Sequence, residues 1–454
     1  MNAHDSGWLR RALLALGFAE TARAEARVHI LNTCSVRNKP ENKVYSELGR
    51  IHVLAREFPN RDIIACVGGC VAQQVGDKLF SRSKELRLVF GADGITNAPE
   101  AIALLAEDSS KKLSLLDFSP EYAERELKTE PDAPLPSAFV SIMQGCDNFC
   151  AYCIVPFTRG RQKSRKTEAI LDECRRVVHY GAKEITLLGQ NVNSFGQDAQ
   201  GSGISFSELL YKVAALPGLE RLRFITPHPK DLAPELIKAF AELPKLAPRL
   251  HLPLQSGSDR ILKAMNRKYT RETYLDTVYR LREARPGIQF STDIIVGFPG
   301  ETEGDFADTM RLMGEANFAA SFSFVYSDRP GTRAALLKNK IPRKESLVRL
   351  GILQDWQKKN TKCMLESMLG KETVVLIEGK SQMAEMPDRP GCRAANFQAE
   401  RYTSWHGRDE YGISVNIPVQ ASRRINAGDM PRVKIVGCSE HTLKGELLQG
   451  VLTL

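Results

Sequence analysis

The residues with the clearest chemical potential are three cysteines in one short stretch. Gly145 to Cys153 places Cys146, Cys150 and Cys153 at C-x3-C-x2-C spacing, directly after an apolar run that ends at Met143. Thiolate is the ligand type of iron–sulfur clusters, and thiols this close in sequence can reach one inorganic body. A structural zinc site takes four ligands, and no fourth Cys or His stands nearby. The spacing therefore predicts a cubane cluster with one iron that lacks a protein ligand.

Two plainer interpretations of this stretch remain: three cysteines placed by chance, and a redox pair with a spare thiol. The apolar strand before the loop and the long α/β region after it favour the cluster. An iron without a protein ligand can coordinate a substrate or cofactor, which indicates chemistry rather than electron storage.

The elements that position this loop repeat a strand-and-helix pattern over the middle of the chain. Six strands are predicted, separated by helical segments: Phe139–Met143, Glu184–Leu188, Arg221–Thr226, Leu250–Leu254, Gln289–Val296 and Ala320–Tyr326. A complete TIM barrel has eight such units. We therefore predict an open (βα)6 TIM-like partial barrel within residues 136–366, with functional residues at the carboxyl ends of its strands.

The first third of the chain shows a second α/β pattern, and we predict an N-terminal parallel α/β domain over residues 1–125. Cys34 and Cys70 stand at two of its predicted strand ends, where such sheets bind ligands. Cys66 falls inside a strand-like run and Cys174 on a helix, so both are expected to be packed thiols. A polar, proline-bearing stretch over 109–137 separates the two domains.

After a long helical segment from Arg343 to Met368 the pattern changes to short β-rich runs. These predict a small C-terminal β-barrel over residues 368–454. The overall fold class is thus α/β with an added β domain. The stretch from Gln382 to Asp409 is longer and more irregular than expected of such a module, and Cys363, Cys392 and Cys438 fit no ligand spacing.

Composition narrows the class of protein. The chain has 454 residues, of which 26% are charged and 43% hydrophobic, which excludes a disordered chain and a membrane protein. Lys and Arg exceed Asp and Glu by 9, which favours a polyanionic partner. Nucleic acid is the leading candidate for that partner. Ten scattered cysteines without a secretory signal indicate reduced thiols and a cytoplasmic location.

The three-cysteine loop after a first strand resembles the radical S-adenosylmethionine superfamily. The resemblance implies that S-adenosylmethionine chelates the open iron and is cleaved by reduction to a deoxyadenosyl radical. It further implies that loops after the second, fourth and fifth strands hold the cofactor, with Gln190, Asn191, Gln255, Ser256, Gly297 and Gly300 as the expected contacts.

The segments Asn-Thr-Cys-Ser-Val-Arg (32–37) and Gly-Gly-Cys-Val-Ala-Gln-Gln (68–74) resemble the methylthiotransferases within that superfamily. In this family three N-terminal cysteines hold a second 4Fe-4S cluster, which implies auxiliary ligands at Cys34 and Cys70. The family's first ligand belongs to a Cys-Gln-Met-Asn motif followed by Asp-Ser, whereas this sequence begins at Met1-Asn2 with Asp5-Ser6 following. We expect either a start truncated relative to the family or a protein without that strand and ligand.

A dense basic run follows the cluster loop, and its Thr-Arg-Gly-Arg and Ser-Arg pattern is similar to the tRNA-acting branch of the family. Phosphate contacts are therefore predicted at Arg159, Arg161, Lys163 and Arg165, against the plain alternative of a solvated charged face. The C-terminal β-barrel resembles the RNA-binding TRAM module.

The resemblance implies methylthiolation of C2 of N6-isopentenyladenosine next to the tRNA anticodon, with S-adenosylmethionine as radical source and methyl donor. It also implies two 4Fe-4S clusters, an electron donor such as a flavodoxin or ferredoxin, and no membrane; we expect a monomer. The alternatives are action on threonylcarbamoyl-adenosine in tRNA or on a ribosomal-protein aspartate, and a non-catalytic iron–sulfur RNA-binding protein.

Overall fold

The structure is a computed structural model that describes residues 2–34, 38–125, 135–198, 203–381, 402–420 and 422–448. Along these ranges the chain forms three consecutive parts: an N-terminal α/β sheet, a central α/β part and a C-terminal β-sheet. Within the same ranges, no helix combines the length and the apolar character needed to cross a lipid bilayer.

The N-terminal part is a four-stranded parallel sheet in the order β1-β2-β3-β4. Its elements are α1 (Asn2–Ala15), β1 (Val28–Thr33), α2 (Asn38–Glu57), β2 (Ile64–Gly69), α3 (Cys70–Val75), β3 (Leu86–Phe90), α4 (Ala98–Glu107) and β4 (Leu113–Leu115). Alternate residues of β2 face opposite helix layers: Ile64 and Cys66 pack with α1 and α4, while Ala65 and Val67 pack with α2. Cys66 is therefore a core thiol, as the sequence predicts.

Two three-stranded parallel sheets make up the central part, in the orders β5-β8-β9 and β10-β11-β12. A parallel bridge between Leu222 and Leu246 joins them. The elements are β5 (Ser137–Ser141), β6 (Met143–Gln144), α5 (Val155–Thr158), β7 (Lys163–Ser164), α6 (Thr167–His179), β8 (Glu184–Leu188), α7 (Phe206–Ala214), β9 (Arg221–Phe224), α8 (Pro234–Glu242), β10 (Arg249–His251), α9 (Asp259–Ala264), α10 (Arg271–Ala284), β11 (Gln289–Val296), α11 (Glu303–Ala316) and β12 (Ala320–Val325). The six predicted parallel strands are confirmed, with small shifts at their ends.

The partial barrel is open between its edge strands β5 and β12, which do not pair with each other in the described structure. On β5, Ala138 and Val140 are buried in the helix-facing core, whereas Phe139 between them is 51% exposed. On β12, Phe322 is 50% exposed and contacts the His251 ring. Half-exposed aromatic rings therefore flank the opening on both sides.

Helix α12 (Arg343–Glu366) leads from the barrel to a six-stranded sheet in the order β13-β17-β18-β16-β15-β14. The strands are β13 (Glu372–Val374), β14 (Leu376–Lys380), β15 (Tyr402–Arg408), β16 (Ser414–Gln420), β17 (Arg432–Cys438) and β18 (Thr442–Leu447). The edge strands β13 and β14 are separated by Val375 alone, so the sheet is strongly curled. The predicted β-rich C-terminal domain is confirmed as this curled sheet.

The long, irregular stretch from Gln382 to Asp409 ends in a strand. β15 occupies 402–408 and pairs with strands on both sides. Its Tyr, Thr, Trp and His residues suit a partly exposed strand, since aromatic and β-branched residues favour the pleated conformation. Residues 382–401, with Cys392, lie outside the described ranges.

Candidate active site

The loop that carries Cys146, Cys150 and Cys153 is called the cluster loop below. Strands β6 and β7 close its base as an antiparallel hairpin, in which Gln144 pairs with Lys163. Gly145 starts the loop at φ +80°, and a Cβ atom there would overlap the Arg161 carbonyl, so only glycine fits. The Gly145 N–H donates to Oε1 of Gln190 over 2.6 Å. Gln190, predicted as a cofactor contact, thus supports the loop from the end of β8.

The far side of the loop is held by the segment after α9. Asn266 Nδ2 donates to the Phe149 carbonyl over 2.9 Å, and Ala151 N–H donates to the Met265 carbonyl over 2.8 Å. The Ala151 carbonyl in turn accepts from Ala334 N–H over 2.8 Å. The backbone between the cysteines is therefore fixed by residues from two distant parts of the barrel.

A buried guanidinium lies against the central cysteine. Arg267 Nη1 donates to Cys150 Sγ over 3.4 Å, while Nη2 donates to the Pro253 carbonyl over 2.9 Å and Nε to the Tyr269 hydroxyl over 2.8 Å. Burial raises the pKa of Cys146 to about 11 and that of Cys153 to about 12. Metal binding must therefore displace protons from these thiols.

His228 also approaches Cys150, with 4.0 Å between Nε2 and Sγ. Asn193 fixes its backbone through two hydrogen bonds of 2.9 Å, and Nδ1 accepts from Lys230 N–H over 3.2 Å. Burial lowers the pKa of His228 to about 2, so the ring is neutral. Because Nδ1 is an acceptor, the proton is on Nε2 and points toward the sulfur. Sequence reasoning missed both His228 and Arg267, although His228 follows the end of β9, where functional residues are expected.

Cys34 and Cys70 come together at the carboxyl edge of the N-terminal sheet. They directly follow Thr33 and Gly69, which are register partners on the neighbouring strands β1 and β2. The Thr33 hydroxyl donates to the Gly68 carbonyl over 2.6 Å and accepts from Val71 N–H over 3.2 Å. The two predicted auxiliary ligands are therefore neighbours. The Ser-Val-Arg motif at 35–37 lies outside the described residues.

The structure corrects the prediction of phosphate contacts for three of the four basic residues. Arg159, Lys163 and Arg165 are buried in contacts with the N-terminal part and the linker. Their carboxylate partners are Asp5 for Arg159 at 3.2 Å, Asp93 for Lys163 at 2.7 Å, and Glu124 for Arg165 at 2.7 Å. Burial and these ion pairs withdraw them from any phosphate backbone.

Arg159 also connects the two cysteine sites. It follows the cluster loop in sequence, and its Nη2 donates to Asn2 Oδ1 over 3.1 Å and to Asp5 Oδ2 over 3.2 Å. Burial would lower the pKa of Arg159, but the nearby Cys70 sulfur and the Asp5 carboxylate outweigh it and raise that pKa. The guanidinium therefore joins the segment that follows the Cys146–Cys153 loop to the part of the N-terminal domain that carries Cys70.

Arg161 is the exposed one of the four predicted phosphate contacts. Its side chain is 72% accessible, pairs with Asp147 at 2.7 Å and lies 5.1 Å from the centre of the Phe149 ring. A cation and a half-exposed aromatic ring thus stand together on the outer face of the cluster loop.

The other predicted cofactor contacts have partners of their own. Asn191 Nδ2 donates to Asp231 over 2.8 Å, and Gln255, at φ +74°, bonds to β11 through its backbone. Ser256 is fully buried beside Thr309, so it is not available to a ligand. Gly297 packs tightly against Ser346 of α12, and Gly300 N–H donates to the Asn339 carbonyl over 2.6 Å. The loops that carry these residues shape the barrel rim.

Comparison with known proteins decides the family. The chain is 55% identical over 446 residues to "tRNA-2-methylthio-N(6)-dimethylallyladenosine synthase" of Nitratidesulfovibrio vulgaris (strain DP4), with 98% of this chain and 96% of the relative covered. It is 44% identical to the protein of the same name from Geobacter metallireducens, over 98% and 96% of the two chains. The chain belongs to the tRNA-2-methylthio-N(6)-dimethylallyladenosine synthase family.

Domain profiles agree with this membership, and a solved structure shares the fold. The Radical SAM superfamily matches residues 140–313, and the uncharacterized protein family UPF0004 matches residues 1–91. A radical S-adenosylmethionine methyltransferase, TsrM, from Kitasatospora setae has a similar fold, with a TM-score of 0.53 at 15% identity over 72% of this chain and 66% of TsrM. The family expectation from the sequence is therefore confirmed.

The synthase family uses 4Fe-4S clusters and S-adenosylmethionine, and the residues present fit a cluster. Cys146, Cys150 and Cys153 are half-buried thiols on one loop whose backbone is fixed, and Arg267 supplies a buried positive charge for thiolate sulfur. In the described part of the chain, no three His, Cys, Asp or Glu side chains are arranged to bind a single metal ion.

Proposed function

We propose that this chain methylthiolates C2 of N6-dimethylallyladenosine next to the anticodon of tRNA. The observation that carries the proposal is the pairing of two cysteine sets in one molecule. Cys34 and Cys70 end neighbouring strands, and Arg159 links that edge to the segment that follows the Cys146–Cys153 loop. A base bound between the sets would meet a radical source on one side and a sulfur source on the other.

In this proposal Cys146, Cys150 and Cys153 hold the cluster that binds S-adenosylmethionine, and Cys34 and Cys70 contribute to the auxiliary cluster. The bound clusters and S-adenosylmethionine supply radical chemistry at an unactivated aromatic carbon, which side-chain acids and bases cannot provide. Arg267 and the Nε2–H of His228 orient and stabilise the Cys150 sulfur. Gln190 and Asn266 fix the loop backbone around the ligands.

Access for a macromolecular substrate is through the open side of the barrel, flanked by Phe139 and Phe322. Arg161 with Phe149 provides a contact for RNA phosphate and base on the cluster loop. The curled C-terminal sheet, in the position of a TRAM module, provides a further RNA surface. We place the domains at 1–125, 136–366 and 368–454, and propose a cytoplasmic monomer reduced by a flavodoxin or ferredoxin.

The test is an anaerobic assay of the iron-reconstituted protein with four substrates: tRNA carrying N6-dimethylallyladenosine, tRNA carrying threonylcarbamoyl-adenosine, unmodified tRNA, and ribosomal protein. We expect deoxyadenosine in the assay, and the methylthio nucleoside with the first substrate, by mass spectrometry of digested tRNA. Cys146→Ala, Cys150→Ala and Cys153→Ala should each abolish deoxyadenosine formation, whereas Cys174→Ala, at a packed thiol, should not.

Each alternative has its own outcome in this assay. Product on threonylcarbamoyl-adenosine alone would assign the chain to the sibling activity, and a modified ribosomal-protein aspartate would assign it to the protein-acting sibling. Iron binding and RNA binding without deoxyadenosine would leave a non-catalytic iron–sulfur protein. Any of these results would overturn the proposed function.

A further inference from the structure

The Asp93 carboxylate, in the N-terminal part, accepts hydrogen bonds from the base of the cluster loop. Asp93 Oδ1 accepts from Gln144 Nε2 over 2.5 Å, and Oδ2 accepts from Lys163 Nζ over 2.7 Å and from Ser119 N–H over 3.0 Å. Lys163 Nζ also donates to the Ser119 carbonyl over 3.0 Å. We call Asp93, Gln144, Lys163 and Ser119 the Asp93 clamp.

The Asp93 clamp lies at the base of the hairpin from which the cluster loop extends. Gln144 and Lys163 pair with each other as the base of the β6–β7 hairpin, and the whole Cys146–Cys153 loop lies between them in sequence. Both side chains are almost fully buried. Separation of this ion pair is unfavourable, because it would leave an unpaired lysine ammonium group buried away from water, at a large cost in free energy.

Asp93 belongs to the same sheet edge as the auxiliary cysteines. Strands β1, β2 and β3 are parallel neighbours, and their carboxyl ends are followed by Cys34, Cys70 and, a few residues on, Asp93. The edge that presents one cysteine set therefore also holds the loop that carries the other set.

We propose that Asp93 is a positioning residue, which fixes the separation of the two cysteine sets by holding the cluster loop against the auxiliary edge. This inference rests on the proposed function, in which the radical and the sulfur must meet at one base. A misplacement of about 1 Å in such a site can cost about 100-fold in rate. Loss of the Asp93 clamp therefore leaves S-adenosylmethionine cleavage intact but uncouples it from sulfur transfer.

The test compares two paired substitutions. Asp93→Ala with Lys163→Met removes the clamp without leaving an unpaired buried charge. Asp62→Asn with Arg27→Met removes an exposed ion pair of the same N-terminal part, in which the two charged groups lie 2.6 Å apart, and serves as the control. Asp93→Asn with Lys163→Met keeps the bond to Gln144, so it should be intermediate, and its near-isosteric shape keeps the comparison possible if the first variant is unstable.

Two measurements follow on the full chain. The first is amide hydrogen exchange of peptides spanning residues 145–162 without iron, which should become faster in the clamp variant and not in the control. The second is the ratio of deoxyadenosine to methylthio nucleoside in the reconstituted protein, which should rise about tenfold or more, in line with the rate cost of misplacement.

The outcomes separate this inference from the proposed function. Loop exchange and a product ratio equal to those of the control would overturn the role of Asp93. If the unsubstituted protein forms deoxyadenosine but no methylthio product with any substrate, the proposed function fails. In that case the loop-exchange comparison alone decides whether Asp93 holds the cluster loop.

Discussion

At the scale of single residues, surroundings decide what a basic side chain does. Arg159, Arg161, Lys163 and Arg165 stand within one short run, yet only Arg161 is exposed. The other three are paired with carboxylates from distant parts of the chain, and loss of one partner from such a buried pair costs about 3–5 kcal/mol. Three of these four residues therefore join domains, and Arg161 is available to a ligand.

The exposed residue supports a prediction about RNA binding. Arg161→Gln should weaken binding of an anticodon stem-loop RNA several-fold and reduce the slope of log K against log salt by about 0.7 to 1, the value for one phosphate contact. Binding measured over a series of salt concentrations checks this.

Arg175→Gln is the matched control for that measurement. Arg175 lies on the outer face of α6, is 52% accessible and pairs with Asp172, so it resembles Arg161 in exposure and pairing. An equal effect of both substitutions would show that Arg161 acts only through net charge.

Arg267 supports a second prediction. Arg267→Met removes the donor to the Tyr269 hydroxyl and one of two donors to the Pro253 carbonyl, which also accepts from the Tyr269 hydroxyl over 3.2 Å. Hydrogen bonds from a charged group contribute about 1.5–3 kcal/mol each. We expect a fall of several degrees in the Tm of the iron-free protein, and less iron per chain after reconstitution. Arg280→Met, at an exposed pair on α10, should change neither quantity. An unchanged Tm for Arg267→Met would contradict the assigned contacts.

The residues that the sequence predicted and those it missed differ in how local their signal is. Cys146, Cys150 and Cys153 are recognisable because their spacing alone specifies a shared ligand. Arg267 and Asp93 have no such signal, since each acquires its role from atoms far along the chain: Cys150 for Arg267, and Gln144 and Lys163 for Asp93. The sequence does not display burial either. Burial turns Arg159, Lys163 and Arg165 from predicted phosphate contacts into partners of carboxylates elsewhere in the chain.

At the scale of elements, the parallel strands were predictable and the antiparallel ones less so. Strand β2 is covered by helices on both faces and forms a continuous apolar run, and β8 is buried along its whole length. Strand β15 is half-exposed and mixes polar residues with aromatic ones, so its sequence resembles a loop.

The contact between the β11–α11 loop and α12 yields a third prediction. A methyl group at Gly297 would overlap Ser346 Oγ, and φ at this glycine is +70°. Gly297→Ala should therefore cost about 1–2 kcal/mol for the backbone conformation and about 1–3 kcal/mol more for the overlap. Thermal unfolding of the variant checks the sum.

Gly331 separates the two costs. Its φ is +84°, and a methyl group added there would have no other atom within 4 Å, so Gly331→Ala bears only the backbone cost. Equal losses of Tm for the two variants would show that α12 yields freely to the added methyl group.

At the scale of the whole molecule, buried arginines connect the barrel to the C-terminal sheet. Arg221 Nη1 and Arg223 Nη2 donate to the Asp409 carbonyl over 3.1 and 2.9 Å, and Arg249 Nη1 donates to the Tyr411 carbonyl over 2.6 Å. These arginines come from β9 and β10, and the carbonyls from the turn between β15 and β16. The sheet is thus held at the end of the barrel opposite the cluster loop.

The side chain of Asp409 makes this contact dependent on pH. It is fully buried, and Oδ1 accepts from the N–H groups of Tyr411 and Ile413, while Oδ2 has no hydrogen-bond partner among the described residues. Burial raises the pKa of Asp409 from 3.8 to about 6. The folded state therefore binds this proton more tightly than the unfolded state, and stability falls as pH rises from about 4 to about 6.

Asp409→Asn tests that dependence, because the amide oxygen keeps both accepted hydrogen bonds and the charge is absent at every pH. Relative to the unsubstituted protein, the variant should gain stability as pH rises from about 4 to about 6 and then reach a plateau, at most about 3 kcal/mol higher. Denaturation curves across this pH range check the difference, with Glu410→Gln as the neighbouring control. A variant that is less stable at pH 8 would mean that Arg221 and Arg223 stabilise an ionised Asp409, so that the carboxylate would contribute to docking as a charge rather than oppose it.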